Sequence, residues 1–190
     1  LQLMDRSQTN WPLCTDLVQR LPDSKGRIPN KYWCMANTNF LKAQTVTQDT
    51  ASTEKSWLLG SALYGIATDG PLNSFGVTVT GLLIYSGWPI NIPDGSTING
   101  IECKIISSKD ARIVDSIVQL AQSGSVIGTN KADPTAGEEH TYGGSADLWG
   151  TNTTLSDLNT LQVALKYKSG SIPHKDASAV YSIQLKIYYT

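Results

Sequence analysis

The pattern of apolar and polar positions divides the chain near residue 75. Phe75–Ile84 (FGVTVTGLLI) is β-prone, with alternation at Val77 and Val79. Pro89, Pro93 and the pair Asp94-Gly95 then interrupt the chain. A second strand is expected over Thr97–Ile106, with Ile98, Ile101, Cys103 and Ile105 as core candidates. Their spacing changes phase at Asn99-Gly100, which predicts a bulge. A third strand, Arg112–Ala121, turns through Ser123-Gly124-Ser125 into Val126-Ile127. Leu161–Tyr167 follows a short turn at Leu155–Leu158. In the last strand Tyr181, Ile183, Leu185, Ile187 and Tyr189 alternate with Ser182, Gln184, Lys186 and Tyr188. A period of two puts one row in a core and the other toward water or a partner. Short strands at regular spacing predict an all-β fold, an antiparallel, jelly-roll-like β-sandwich over residues 75–190. The absence of a repeat of roughly 20–50 residues argues against a solenoid or propeller.

Residues 1–74 read differently, as an extended N-terminal arm with few regular elements. Cys14–Leu21 has the makings of two helical turns, with Thr15 as N-cap and Pro22 as a stop. Ala43–Ser56 is polar and Thr-rich, suited to a linker or an exposed strand. Residues 57–72 (WLLGSALYGIATDGPL) are apolar, but Gly60, Gly65 and Gly70 break the run, leaving a bent strand and a helix equally open. Such an arm gains order only against a partner, because alone it buries too little to offset its conformational entropy.

Composition narrows the function classes. The 190 residues carry a formal net charge of -1, and only 16% are charged, so no general attraction to nucleic acid or anionic membrane is expected. No segment reaches the ~20 apolar residues of a membrane helix. The opening LQLMDRSQTNW has an acid, a base and no apolar run, so no signal peptide is expected there. Cys14, Cys34 and Cys103 form no CxxC pair and read as reduced thiols made in a cytoplasm, with a Cys14–Cys34 bridge as the alternative.

Four phrases occur in order: Ile92–Ile101 (IPDGSTINGI), Val126–Ala132 (VIGTNKA), Tyr142–Gly150 (YGGSADLWG) and the closing Ile187–Thr190 (IYYT). As a set they resemble a β-sandwich domain of tailed-phage structural proteins, of the tail-fibre, minor structural and head-decoration type. The resemblance covers about residues 75–190. It implies a virion part made in the host cytoplasm, a homo-oligomer with a trimer favoured, and no catalytic residues. The arm would then bind the capsid, the tail or a neighbouring subunit. The physical reading of the phrases is also structural. Pro93-Asp94-Gly95 sets the entry to a strand, and Gly143-Gly144 permits a tight reversal. Trp149 is expected to plug one end of the sandwich, with its N–H seeking one partner.

Candidate chemistry is sparse. His140 and His174 sit in polar sequence without metal-ligand spacing and read as solvated loop residues. Asp147 could join Asp133 or Asp157 around calcium, but a bond that pins its own loop is the simpler role. Asp110, Asp115 and Glu102 read as edge and surface charges. No metal, cofactor or catalytic residue is therefore expected, and the chain does not read as an enzyme. Aromatic residues are the remaining lead: Tyr85, Trp88, Tyr142 and Tyr188 are candidate ligand-binding rings. Exposed, they would stack on a host-surface glycan. Their other use is to fill a subunit interface or cap the core, which the abundance of Tyr and Trp at interfaces favours. The reading is thus a virion structural protein acting in assembly and host attachment, with a glycan-binding adhesion module as the alternative and a polysaccharide-degrading enzyme third.

Overall fold

A computed structural model describes residues 35–49, 57–59, 67–69, 79–109, 113–135, 137–169 and 178–190. Among these the chain forms two antiparallel sheets that face each other, an all-β sandwich. The elements are β1 (Ala36–Asn37), β2 (Leu41–Lys42), β3 (Thr45–Asp49), β4 (Trp57–Leu59), β5 (Ala67–Asp69), β6 (Leu82–Ser86), β7 (Ile98–Lys109), β8 (Ile113–Gln122), β9 (Ser125–Ile127), β10 (Glu139–Gly143), β11 (Leu161–Ser169) and β12 (Ser178–Tyr189), with a 3-10 helix at Leu155–Thr160. One sheet runs β10-β7-β12-β5-β4, and β1 and β2 also pair with β12. The other runs β3-β6-β11-β8-β9. From β6 to β12 the chain repeatedly crosses between sheets; only β8 and β9 are successive neighbours, joined by a two-residue turn with positive φ at Ser123 (50°) and Gly124 (79°). Positive φ at both turn positions matches the twist of the flanking strands.

The core is the space between the sheets. Ile101, Cys103, Ile183, Leu185 and Ile187 enter it from one side, and Leu83, Tyr85, Val118, Leu120, Val163 and Leu165 from the other. The middle of the second sheet is apolar on its outer face as well, where Ile84, Ala121 and Ala164 are buried against Leu82 and Ile117. That double coverage explains why Leu82–Tyr85 of β6 and Val163–Leu165 of β11 read as continuous apolar runs instead of alternating ones.

Three bulges set the phase of the long strands. Tyr188 pairs with Gly100 and Tyr189 with Ile98, so Asn99 is the extra residue expected from the sequence. A second bulge lies in β12, where Val180 pairs with Ser107 and Ser182 with Ile106. It corrects the expected alternation: Tyr181 is 47% exposed, and Val180 takes the buried position. The third makes Ser116 the extra residue of β8 opposite Lys166 and Tyr167. It turns Asp115 inward, where it is 4% exposed, instead of leaving it as a surface charge.

Residues 36–49, placed by the sequence in the arm, contribute strands to both sheets. β1 and β2 pair with β12, and β3 pairs with β6 along Thr45–Asp49. The division at residue 75 therefore does not mark where the sandwich begins. The run 57–72 contains strands, β4 and β5, at its described positions. The proposed helical turns at Cys14–Leu21, and Cys14 and Cys34 themselves, lie outside the described residues, as do Phe75–Thr78. Among the described residues no helix is long and apolar enough to cross a membrane.

The β12 bulge yields a contrast between neighbours. Tyr181→Ser should leave stability within about 0.5 kcal/mol of the parent. Ile183→Ala should cost about 2–5 kcal/mol by deleting a core side chain. Urea unfolding of the two variants measures this; equal losses would mean that the outward phase of Tyr181 is misassigned.

Candidate functional site

Residues 142–150 are tied to both sheets by several bonds. Trp149 is fully buried with φ of 58°, a left-handed conformation that costs a bulky residue on the order of 1–3 kcal/mol. Several bonds hold it there. Its backbone N–H donates to Asp147 Oδ1 at 2.7 Å, and its indole Nε1–H donates to the Ile101 carbonyl at 2.8 Å. Its own carbonyl accepts the Thr129 N–H at 2.6 Å. Lys131 Nζ lies 5.5 Å from the ring centroid and 2.6 Å from Asp147 Oδ2. The expected plug and the expected loop-pinning role of Asp147 are thus both present. Partial burial works against the Asp147 carboxylate, but the bonds from Lys131 and the Trp149 N–H hold its pKa below the usual carboxylate value.

The surrounding glycines are required by proximity. A Cβ on Gly143 (φ 80°) would lie 2.2 Å from the Ile101 carbonyl oxygen and 2.5 Å from the Trp149 indole nitrogen. On Gly128 (φ 68°) it would lie 2.2 Å from the Trp149 carbonyl oxygen. The segment that crosses from β9 to β10 is anchored by Asn130. Its amide accepts from the Val118 and Ala132 N–H groups and donates to the Ser116 carbonyl, continuing the ladder that β9 leaves off.

The four candidate rings do not come together as a stacking surface. Tyr85 is 1% exposed and Tyr142 5%, both in the core. Trp88 is 9% exposed, with Nε1 donating to the Leu161 carbonyl at 2.9 Å. This corrects the expectation of exposed rings and puts these three to the other use, filling the core. Tyr142 lies on a strand, β10. Little in the residues announces that strand, because EHTYG is short and polar. The Tyr142 hydroxyl donates to the buried Asp115 carboxylate across the sandwich. Burial first, and then that bond, push the Tyr142 pKa upward.

Tyr188 alone keeps its outward position, half-buried, with its hydroxyl donating to Glu102. Lys186 Nζ lies 4.9 Å from its ring centroid and 5.4 Å from that of Phe40, a residue the sequence did not single out. Lys104 Nζ sits 5.9 Å from the same Phe40 ring and pairs with Glu139. Phe40, Lys186 and Tyr188 therefore form a mixed aromatic and cationic patch on the outer face of the first sheet.

His140 also departs from expectation. It lies on β10, half-buried, with Nε2 3.8 Å from Asp133 Oδ2 and its ring centroid 4.8 Å from that of Tyr142. Asp133 accepts from the N–H and hydroxyl of Thr135, and Asp157 accepts from those of Thr154 at the start of the 3-10 helix. Among the described residues no three His, Cys, Asp or Glu side chains are grouped to hold a metal ion. Cys103 is buried and reduced, and burial pushes its thiol pKa up, away from thiolate chemistry. His174 and Asp110 lie outside the described residues. Comparison with protein-family models and with curated proteins finds no match.

Two outcomes test the Trp149 arrangement. Trp149→Phe keeps a ring but removes one of the two donors to the Ile101 carbonyl, which retains the Gly144 N–H at 3.1 Å, so it should cost about 0.5–1.5 kcal/mol by denaturant titration. Asp147 supplies a pH test. Its folded pKa is depressed, so its stabilising contribution is present above the unfolded carboxylate value and lost as pH falls through the folded one. The stability gap between the parent and Asp147→Asn should therefore narrow below about pH 4; a gap independent of pH would contradict the assignment.

Proposed function

We propose that the protein is a structural component of a tailed-phage virion, a β-sandwich that acts in particle assembly as a decoration, tail or fibre part. One observation carries this reading. The four phrases that resemble phage structural proteins touch one another at one end of the sandwich. Thr97 and Thr190 exchange backbone bonds at 2.8 and 3.0 Å, joining the first phrase to the last. The Ile101 N–H donates to the Asp147 carbonyl at 2.9 Å, and a Cβ on Gly100 would strike the backbone of Gly144 and Ser145. The second phrase joins through the bond from Thr129 to Trp149. Segments far apart in sequence thus share one interlocked frame, so the resemblance concerns a way of building a sandwich. Buried hydroxyl and carboxylate groups go to tying that frame, as in the Tyr142–Asp115 pair.

The proposal includes self-association, with a trimer as the favoured state, and attachment to other virion proteins through the N-terminal arm. In the patch of Phe40, Lys186 and Tyr188 the two rings offer the aromatic character that subunit contacts favour. Light scattering should give a mass three times that of the chain, and Phe40→Glu should lower it toward one. Immunogold labelling of particles purified from cells that carry the gene tests the assignment itself. Label on the particles is expected; label only in the unassembled fraction would refute it.

A further inference from the structure

Beside the Trp149 frame lies an open cleft of about 360 Å³, within the ~300–1,000 Å³ typical of small-ligand sites. We propose that this cleft is a binding site for a neutral glycan. The inference goes beyond the virion assignment and does not depend on it. The cleft lies between the β8–β9 hairpin and the chain from Gly150 to Asp157, with Leu161 and Ile127 as its apolar residues. Its polar side chains are those of Gln122, Thr151, Asn152, Thr153 and Asp157.

The chemistry selects the ligand. Amide and carboxylate side chains are planar and can bond two adjacent hydroxyls at once, and an apolar side chain suits the C–H face of a sugar ring. Asn152 is exposed and makes no hydrogen bond within the described residues, so its carbonyl and amino groups are open to a ligand. The Gln122 amide nitrogen donates to Thr160 at 3.1 Å and serves the Asp157 carboxylate as well, which leaves its carbonyl oxygen to accept from a sugar hydroxyl. Among the described residues no Lys, Arg or His lines the cleft, and the one charged residue that does is acidic. Phosphate, sulfate and carboxylate ligands, nucleic acid included, are therefore disfavoured.

The walls are also held in place before any ligand arrives. Trp149 and Gly150 both have positive φ, at 58° and 70°, which turns the chain into the cleft wall. The Thr151 hydroxyl is fixed on the Leu148 carbonyl at 2.6 Å and lies 2.6 Å from that of Thr153. Asp157 is fixed by the Thr154 N–H and hydroxyl at 2.8 and 2.6 Å. Contact groups already fixed by bonds within the protein lower the ordering cost of binding.

The test uses the full chain and a panel of neutral di- to tetrasaccharides built from hexoses and N-acetylhexosamines, with sulfated and uronic-acid oligosaccharides as the anionic arm. Binding is followed by amide chemical shifts. At least one neutral member should bind and shift the amides of Gly128, Thr151 and Asn152, while the anionic arm binds more weakly. Asn152→Ala should weaken that binding ~10-fold with an unchanged unfolding midpoint, since the side chain supports nothing else. Gln122→Ala should weaken it in the same direction. Failure of every neutral oligosaccharide at millimolar concentration would overturn the proposal. So would shifts that map elsewhere, preference for the anionic arm, or binding unaffected in both variants. None of these results would alter particle labelling, so the two proposals fail separately.

Discussion

The structure depends on one buried contact, the Trp149 indole against the Ile101 carbonyl. Ile101 is a core residue of β7, the strand that pairs with both β10 and β12. The bond therefore ties the loop after β10 to an inner strand of the first sheet. The Trp149 carbonyl ties the same loop to the segment leaving β9 in the other sheet. A single residue thus spans the two layers at one end, and the glycines around it are small because backbone occupies the space a side chain would need. The left-handed strain at Trp149 persists because the indole, the amide and the carbonyl are each bonded.

The parts of this that were legible in the sequence are the parts with local periodicity. Ile98, Ile101, Cys103 and Ile105 fall in the core, and the phase change at Asn99 is a real bulge. Trp149 and Asp147 were legible for another reason: a large ring with one polar atom among glycines, and an acid two residues before it, have few other uses. The failures have a common cause. Tyr181 and Asp115 were misplaced by bulges at Tyr181 and Ser116, where a single extra residue reverses the faces of everything on one side of it. Nothing in a smooth alternation such as Tyr181–Tyr189 announces that reversal.

Longer-range facts were less accessible still. That residues 36–49 add strands to both sheets follows from free edges supplied by β12 and β6, not from the short, polar β3 segment itself. Tyr85, Trp88 and Tyr142 looked like surface rings because they adjoin Gly, Pro or polar residues. Each is instead drawn inward, and the Trp88 N–H and Tyr142 O–H find partners on β11 and β8. Polar side chains elsewhere follow the same logic. Asn130 completes a ladder and Asp157 closes a helical turn, so most candidate chemistry is absorbed by architecture. Asn152 stands apart because it supports no other element.

The central claim is that the Trp149 contact belongs to the last part of the fold to open. Hydrogen exchange of the Trp149 indole N–H, followed by NMR beside the amides of Ile101 and Leu185, tests it directly. The account predicts that the indole proton exchanges only with the core amides, at the free energy of global unfolding. Exchange of the indole proton through a local opening, with the β7 and β12 amides still protected, would contradict it.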